Sequence, residues 1–158
     1  MKKYSKDLFK ILEKKELTIA IAESMTGGFI AASLVLNPGA SKILKLSTVV
    51  YTEEAKYHVL GVSQDLMLRY TLLSGEVAEA MINGLKKLIK ADIYLSITGN
   101  AGPTFLKNTD KLGAFIAVSS QDKNLISFKK LNKNCRQKNI DIVVKETFKI
   151  LKSFVLNF

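Results

Sequence analysis

The chain has 158 residues, a length typical of one domain, and 47% of them are apolar and 24% charged. This composition excludes an intrinsically disordered chain, and no apolar run reaches the roughly 18 residues that cross a bilayer. The formal charge of +10 comes mostly from lysine, because only Arg69 and Arg136 are arginines. The scarcity of arginine therefore argues against a protein that recognises a specific base sequence in nucleic acid.

Two further features bear on cellular context. Cys135 is the one cysteine, which excludes an internal disulfide framework and a zinc site built from paired cysteines. Residues 1–15 alternate charged and apolar side chains, unlike the apolar core of a signal peptide. We therefore expect one domain over residues 1–158, located in the cytoplasm, with no metal and no membrane partner.

The N-terminal part of the chain shows the alternation of an α/β protein. Apolar residues at helical spacing between lysines predict a helix over 4–15, and the short apolar run at 17–22 predicts a buried strand. The polar, glycine-bearing segment 23–28 follows. The apolar stretch at 29–36 then predicts a buried helix that stops before the turn residues at 37–39.

The middle of the chain continues the pattern. A segment rich in valine and threonine predicts a second strand over 46–51. The following helix is predicted over 52–60, because Thr52 can cap its start and Gly61 can end it. Ser74 opens a long amphipathic helix that continues to about Lys90.

The C-terminal part adds three strands and a helix. Strands are predicted over 92–98, 112–120 and 125–131, with a glycine- and proline-bearing loop at 99–111, and a helix with a wide apolar stripe over 139–154. Strands and helices alternate early, and strands adjoin late. We therefore expect a single-domain α/β fold, a three-layer α/β/α sandwich with a mixed β-sheet.

The segment 23–28, Glu-Ser-Met-Thr-Gly-Gly, leaves a predicted strand and enters a predicted helix. Such a position collects backbone N–H groups and the positive end of a helix dipole, so it can bind an anion or stabilise an oxyanion. A capped helix whose glycines serve only the turn is the alternative interpretation of the same residues.

Ser24 in this segment would need a base to act as a nucleophile. His58, the only histidine, lies inside a predicted helix, where a lone histidine is more often an ordinary surface or packed residue. Lys56 is the other candidate, provided that burial and nearby positive charge lower its pKa from about 10.4 toward neutrality. The residues alone leave this choice open.

A third segment, Thr98 to Pro103, follows a predicted strand and carries Gly99 and Gly102. Ligands gather at the carboxyl ends of strands in open α/β sheets, and glycines let backbone amides approach them closely. A plain turn is again the alternative.

Four segments considered together point to a family: 22–28, 50–62, 74–78 and 97–103. In their order and spacing they resemble the successive motifs of the CinA C-terminal domain family, and the resemblance covers roughly residues 17–117. It implies an amidohydrolase without metal or cofactor that converts nicotinamide mononucleotide to nicotinic acid mononucleotide and ammonia.

The resemblance also implies roles for individual residues. Ser24 would be the nucleophile, Lys56 its general base, and Tyr51 a neighbour that orients groups or assists proton transfer. Donors for the oxyanion and for the substrate's phosphate, or other substrate contacts, would come from Glu23, Thr26, Gly27, Gly28, Ser41, Thr98, Gly99, Ala101, Gly102 and Arg136. Arg136 follows Asn134-Cys135, which only loosely matches the family's glycine-aspartate-arginine stretch.

The sequence departs from the family pattern in places. Met25 stands where the family usually has cysteine, and Asn100 stands where isoleucine or valine is common. Residues 104–111 replace a glycine-rich loop that normally lies near the ligand. This altered loop favours a second hypothesis, a catalytically inactive nucleotide-binding or competence-related regulatory module. The +10 charge supplies a third, a nucleic-acid-associated protein, against which the scarcity of arginine argues.

Members of the family are commonly dimers, so the resemblance implies a homo-oligomer, specifically a dimer. The apolar C-terminal residues 154–158 could supply a contact between copies. We favour the other interpretation, that they close the protein's own core.

Overall fold

A computed structural model of the chain describes residues 2–132 and 135–157, with side chains from residue 4 onward. The strands are Ile19–Glu23 (β1), Leu44–Val49 (β2), Ile93–Asn100 (β3), Gly113–Ser119 (β4) and Asn124–Lys130 (β5). The α-helices are Lys2–Lys14 (α1), Phe29–Val35 (α2), Glu53–Leu60 (α3), Gln64–Tyr70 (α4), Gly75–Leu88 (α5) and Arg136–Leu156 (α6), and a 3-10 helix spans Ala40–Lys42.

The five strands form one mixed sheet in the order β2-β1-β3-β4-β5. β1 is parallel to both β2 and β3, whereas β4 and β5 continue the sheet antiparallel. The chain leaves β1 toward one side of the sheet and returns to its other side for β3. Such a reversal opens a crevice at the carboxyl ends of parallel strands, where ligands bind in open α/β sheets.

Helices cover both faces of the sheet, which confirms the predicted three-layer sandwich. β1 shows the alternation that requires this arrangement. Ile19 and Ile21 pack into one core with α1, α2 and α6. Ala20 and Ala22 pack into the opposite core with α3, α4 and α5.

β2 corrects the predicted boundaries by two residues at each end, since it spans Leu44–Val49 and not 46–51. Its start and end are set by pairing with β1, whose register runs from Ile19 opposite Leu44 to Glu23 opposite Val49. Tyr51 therefore lies beyond the strand, in the turn that leads into α3.

α4 is a helix that periodicity did not predict. Ser63 caps it by accepting the N–H of Leu66 at 3.3 Å, Asp65 stands in its first turn, and Met67 is buried. A helix of seven residues is too short for a 3.6-residue period to stand out, although the serine cap and early aspartate are a helix-start signal.

α6 begins at Arg136, three residues before the predicted start, with Cys135 as the extended residue that precedes it. At its other end Phe154 and Val155 are buried in the protein's own core, while Leu156 is exposed. This confirms the favoured interpretation for the first two of these residues. Phe158 lies outside the described residues. Over residues 2–132 and 135–157, no helix has the length and apolarity needed to cross a membrane.

Candidate active site

Ser24 and Lys56 meet at the carboxyl edge of the parallel strands. Ser24 directly follows β1, and Lys56 lies in the first turn of α3 after β2. The position of Lys56 depends on where α3 starts: Thr52 Oγ1 accepts the N–H of Ala55 at 3.1 Å, as expected for an N-cap. Gly61, with a left-handed φ of +66°, ends the helix as predicted.

The amine of Lys56 is held between two oxygen atoms. Its Nζ donates to Ser24 Oγ at 3.1 Å and to the carbonyl oxygen of Val50 at 2.9 Å. Lys56 is 1% exposed and Ser24 is 5% exposed. The structure thus brings the two residues into hydrogen-bond contact in a place that excludes bulk water.

Burial changes the acidity of this amine. Removal from water disfavours the charged form and lowers the pKa of Lys56 from 10.5 to about 8, although the nearby carboxylate of Glu53 opposes the shift. At pH 7 about one amine in ten is then neutral and able to accept a proton. The condition that the sequence left open for Lys56 is met by desolvation, without help from another cation.

His58 does not join Ser24. It lies two residues after Lys56 on α3, about 200° around the helix, and its side chain is exposed. Its ring packs edge-on against Tyr57, with ring centroids 4.9 Å apart. A Ser-His arrangement is therefore not formed.

Glu23 has a structural role that corrects its assignment to substrate binding. Its carboxylate is fully buried and accepts the backbone N–H groups of Gly28 at 3.1 Å, Ile30 at 3.2 Å and Ala31 at 2.9 Å. The start of α2 is thus already occupied by a carboxylate of the same chain. It offers no donors from these three residues to a substrate anion, and Gly28 is corrected with Glu23.

Three other expected substrate contacts do not line the cavity of about 220 Å³ that lies over Ser24 and Lys56. Gly27 makes the turn with a φ of +59°, and its N–H donates to the carbonyl oxygen of Ser24 at 3.0 Å. Thr26 is fully buried, and its Oγ1 has no hydrogen-bond partner in the described part of the chain. Ser41 lies in the 3-10 helix before β2, at the opposite end of the sheet. Gly27 and Ser41 are therefore corrected as ligand contacts.

A cavity of about 220 Å³ lies over the Ser-Lys pair. Its polar lining includes Ser24, Tyr51, Lys56, Thr98, Asn100 and Arg136. Its apolar lining comes from Met25, Leu72, Phe105 and Leu106. Thr98 and Gly99, two of the expected substrate contacts, also line this cavity, and Thr98 Oγ1 donates to the carbonyl oxygen of Leu72 at 2.8 Å.

Asn100 organises the loop that leaves β3. Its Oδ1 accepts the N–H of Gly102 at 2.8 Å, and its Nδ2 donates to the carbonyl oxygen of Thr104 at 2.7 Å. The Gly102–Pro103 peptide bond between these anchors is cis. The residue that departs from the family pattern thus fixes the shape of one cavity wall.

The first turn of α6 holds the same loop from the other side. Asn139 Nδ2 donates to the carbonyl oxygen of Ala101 at 2.9 Å, and Arg136 Nη1 donates to that of Gly102 at 2.6 Å. Ala101 and Gly102 do not line the cavity, and their carbonyl groups are bound by protein side chains, so both are corrected as substrate contacts. Asn134, part of the loosely matching stretch, lies outside the described residues.

Arg136 also reaches Tyr51, whose hydroxyl accepts from Nη2 at 2.5 Å. In residues 2–132 and 135–157 no carboxylate forms an ion pair with this guanidinium. The arginine therefore borders the cavity as a cation paired only with neutral oxygen atoms, and the phenol proton of Tyr51 remains available to a ligand.

Several lining residues were not predicted from the sequence. Leu72 arrives on the connection between α4 and α5, and Thr104, Phe105 and Leu106 arrive on the irregular loop after β3. None of them belongs to a recognisable motif. The departure of residues 104–111 from the family pattern is the one signal in the sequence that marks this loop.

Comparison with known proteins supports the resemblance to the CinA C-terminal domain family. The model of the CinA C-terminal domain family matches residues 1–155. A CinA-like protein of Flavobacterium psychrophilum is 34% identical over 149 residues, covering 94% of this chain and 36% of that protein. A CinA-like protein of Thermotoga neapolitana is 36% identical over 120 residues, covering 75% of this chain and 29% of that protein. The chain thus spans about a third of the length of these relatives.

Solved structures agree on the fold. A competence-damaged protein (CinA) superfamily protein of Klebsiella pneumoniae has a TM-score of 0.93 at 20% identity, covering 99% of this chain and 98% of that one. One from Escherichia coli has a TM-score of 0.87 at 25% identity, covering 97% and 88%. Sequence motifs, fold and family model coincide, and the chain belongs to the family of CinA C-terminal domains.

Proposed function

We propose that this domain hydrolyses the carboxamide of nicotinamide mononucleotide, giving nicotinic acid mononucleotide and ammonia, with Ser24 as nucleophile and Lys56 as general base. The observation that supports the proposal most is the 3.1 Å contact between Lys56 Nζ and Ser24 Oγ. It joins a hydroxyl to a buried amine with a pKa of about 8, which is the pairing that nucleophilic serine chemistry needs.

In the first half of the reaction, the neutral amine of Lys56 takes the hydroxyl proton as Ser24 Oγ bonds to the carboxamide carbon. The carbonyl π electrons move to the oxygen, which becomes the oxyanion of a tetrahedral intermediate. When this intermediate collapses, the C–N bond breaks, and the ammonium of Lys56 returns its proton to the leaving nitrogen, so that ammonia departs. Ser24 is left as an ester of the pyridine carboxylic acid.

The second half repeats these steps with water. Lys56, neutral again, takes a proton from a water molecule that attacks the ester carbon. Collapse of the second intermediate returns the proton to Ser24 Oγ and frees the carboxylic acid. Each proton that Lys56 receives is given back, so one dyad serves both halves.

An oxyanion needs donors near the serine. In the described part of the chain, the backbone N–H groups of Met25 and Thr26 make no hydrogen bond to another backbone or side-chain acceptor, unlike those of Gly27 and Gly28. They follow the nucleophile directly along the chain. Of the two residues, Met25 lines the cavity and Thr26 does not, so we assign the oxyanion to the backbone N–H of Met25.

The substrate's phosphate needs a cation at the mouth of the cavity. Arg136 borders the cavity and has no carboxylate partner among the described residues, so its remaining guanidinium donors suit an anion. Tyr51 shares a hydrogen bond with Arg136 and adds a donor beside it. The pyridine ring and its carboxamide would then lie inside the cavity, with the ribose phosphate directed toward Arg136.

The test is incubation of the purified chain with nicotinamide mononucleotide, measuring ammonia and nicotinic acid mononucleotide together. The proposal predicts that both appear in equal amounts. Absence of both products from a folded protein would contradict it.

A binding module without catalysis is the second candidate, and the apolar side chains that line the cavity favour it. Phe105 and Leu106 line the space, whose volume of about 220 Å³ is below the roughly 300–1,000 Å³ of most ligand pockets. This candidate predicts that the mononucleotide raises the midpoint of thermal unfolding without forming product. The same samples distinguish the two candidates.

A further inference from the structure

Phe105 lies between two cavities. It lines the space of about 220 Å³ over Ser24, and it also lines a neighbouring space of about 570 Å³. Leu106, the next residue, lines only the first of these. Phe105 is therefore a shared wall, and among residues 2–132 and 135–157 no other residue borders both cavities.

The backbone on either side of this ring is anchored. Asn100 Nδ2 holds the carbonyl oxygen of Thr104 at 2.7 Å, just before Phe105. Just after it, the carbonyl oxygen of Leu106 accepts the N–H of Thr109 at 3.2 Å. Because both neighbours are held, the position of the wall is set by the loop.

The neighbouring cavity has its own chemistry. Lys111 and Lys130 place positive charge at its lining, opposed there by Asp110, and Phe128 supplies an aromatic surface. The ring of Phe128 lies against Gly113, where an added Cβ would come within 2.6 Å of it. An aromatic face beside two lysines suits a nucleobase and its phosphate.

We propose that Phe105 sets the size of substrate that this site accepts: it confines the carboxamide substrate to a mononucleotide and closes off a cavity able to hold the second nucleotide of a dinucleotide. This inference rests on the proposed function. Removal of the ring joins the two cavities. The adenylate half of nicotinamide adenine dinucleotide then lies near Lys111 and Lys130 while its carboxamide reaches Ser24.

The experiment compares ammonia release from nicotinamide mononucleotide and from nicotinamide adenine dinucleotide by wild type, Phe105→Ala and Leu106→Ala. Phe105→Ala is expected to raise the ratio of kcat/KM for the dinucleotide to that for the mononucleotide by about tenfold or more. Leu106→Ala, the matched control, changes the same ratio by less than about threefold. An unchanged ratio in Phe105→Ala, or an equal rise in Leu106→Ala, overturns the proposal.

A second substitution tests where the added nucleotide lies. Lys130 lines the neighbouring cavity and not the one over Ser24, so Lys130→Ala alone is expected to leave mononucleotide turnover unchanged. Combined with Phe105→Ala it is expected to cancel most of the gain with the dinucleotide. A gain that survives both Lys130→Ala and Lys111→Ala contradicts the assignment of that cavity to the second nucleotide.

Failure of the proposed function gives a different result. If folded wild type releases no ammonia from the mononucleotide, the proposed hydrolysis is contradicted. The role of Phe105 is then tested separately, by measuring the affinities for the same two nucleotides by calorimetry. Phe105→Ala must then gain affinity for the dinucleotide alone. Phe105 is 44% exposed, so the variant is expected to fold; Phe105→Leu provides a milder change with a smaller gain in the same direction.

Discussion

Lys56 Nζ lies 3.1 Å from Ser24 Oγ although 32 residues separate them along the chain. The contact exists because β1 and β2 are parallel neighbours, so the turn after β2 brings the first turn of α3 over the end of β1. Burial of that turn lowers the pKa of the amine, so the fold supplies both the proximity of the two groups and the reduced pKa of Lys56.

The pH dependence of activity should report this amine. Because Lys56 must be neutral to accept a proton, kcat/KM for the mononucleotide is expected to rise with pH and to level off above about 8. Steady-state rates between pH 6 and pH 9.5 measure the inflection. A profile that levels off at about 6.5 would instead indicate an imidazole base, and His58→Gln should leave the profile unchanged.

Stability should also depend on the protonation of Lys56. Its pKa is about 8 in the folded chain and 10.5 without burial, so between these values the unfolded chain binds more protons and the free energy of unfolding rises with pH. From pH 7 to pH 10 this contribution amounts to about 2 kcal/mol. Urea unfolding of wild type and Lys56→Met at both pH values isolates it. If the difference between their free energies of unfolding does not change with pH, the amine is not desolvated.

Glu23 should matter for stability more than any exposed carboxylate. Glu23→Ala removes the acceptor of three backbone N–H groups at the start of α2, two of them on Ile30 and Ala31, and is expected to cost about 2–4 kcal/mol. Chemical denaturation measures the loss, with Glu13→Ala on the surface of α1 as the control. Glu23→Gln should lie between the two, since one amide oxygen can still accept. A loss no larger than that of the control would remove the capping role.

Gly84 should tolerate no side chain. A Cβ there would lie 2.2 Å from the carbonyl oxygen of Leu60, the last residue of α3, so Gly84→Ala must push α5 away from the helix that carries Lys56. We expect a loss of about 3 kcal/mol or more and a fall in activity. Gly75→Ala, in the same helix, has its nearest atom at 3.3 Å on a side chain and is the matched control. Equal unfolding midpoints for the two variants would contradict this close packing.

Much of the fold could be predicted because its long elements carry strong patterns. The buried strand at β1, the glycine turn after it and the caps of α3 all follow from local residue chemistry. α4 escaped prediction because seven residues give too short a period. The two-residue shift of β2 arose because its register with β1 is a tertiary property that the Val- and Thr-rich run does not encode.

The pairing of Ser24 with Lys56 was expected through the resemblance to the CinA C-terminal domain family, because the residues alone left the choice between Lys56 and His58 open. The site was not predictable where a residue's polar groups can be used by the protein itself. Glu23 was expected to contact the substrate, yet its carboxylate accepts hydrogen bonds from three backbone N–H groups of the same chain. Phe105 carries no motif at all, and its place in the wall depends on Asn100 and the irregular loop.

Ammonia release from nicotinamide mononucleotide by wild type, Ser24→Ala and Lys56→Met, measured side by side at pH 8, tests the dyad most directly. Both variants are expected to lose about 10³-fold or more in kcat while their far-ultraviolet circular dichroism stays native. Ser153→Ala and Lys10→Met, at exposed positions on α6 and α1, should retain full activity. Turnover within about tenfold of wild type in either dyad variant would contradict the account.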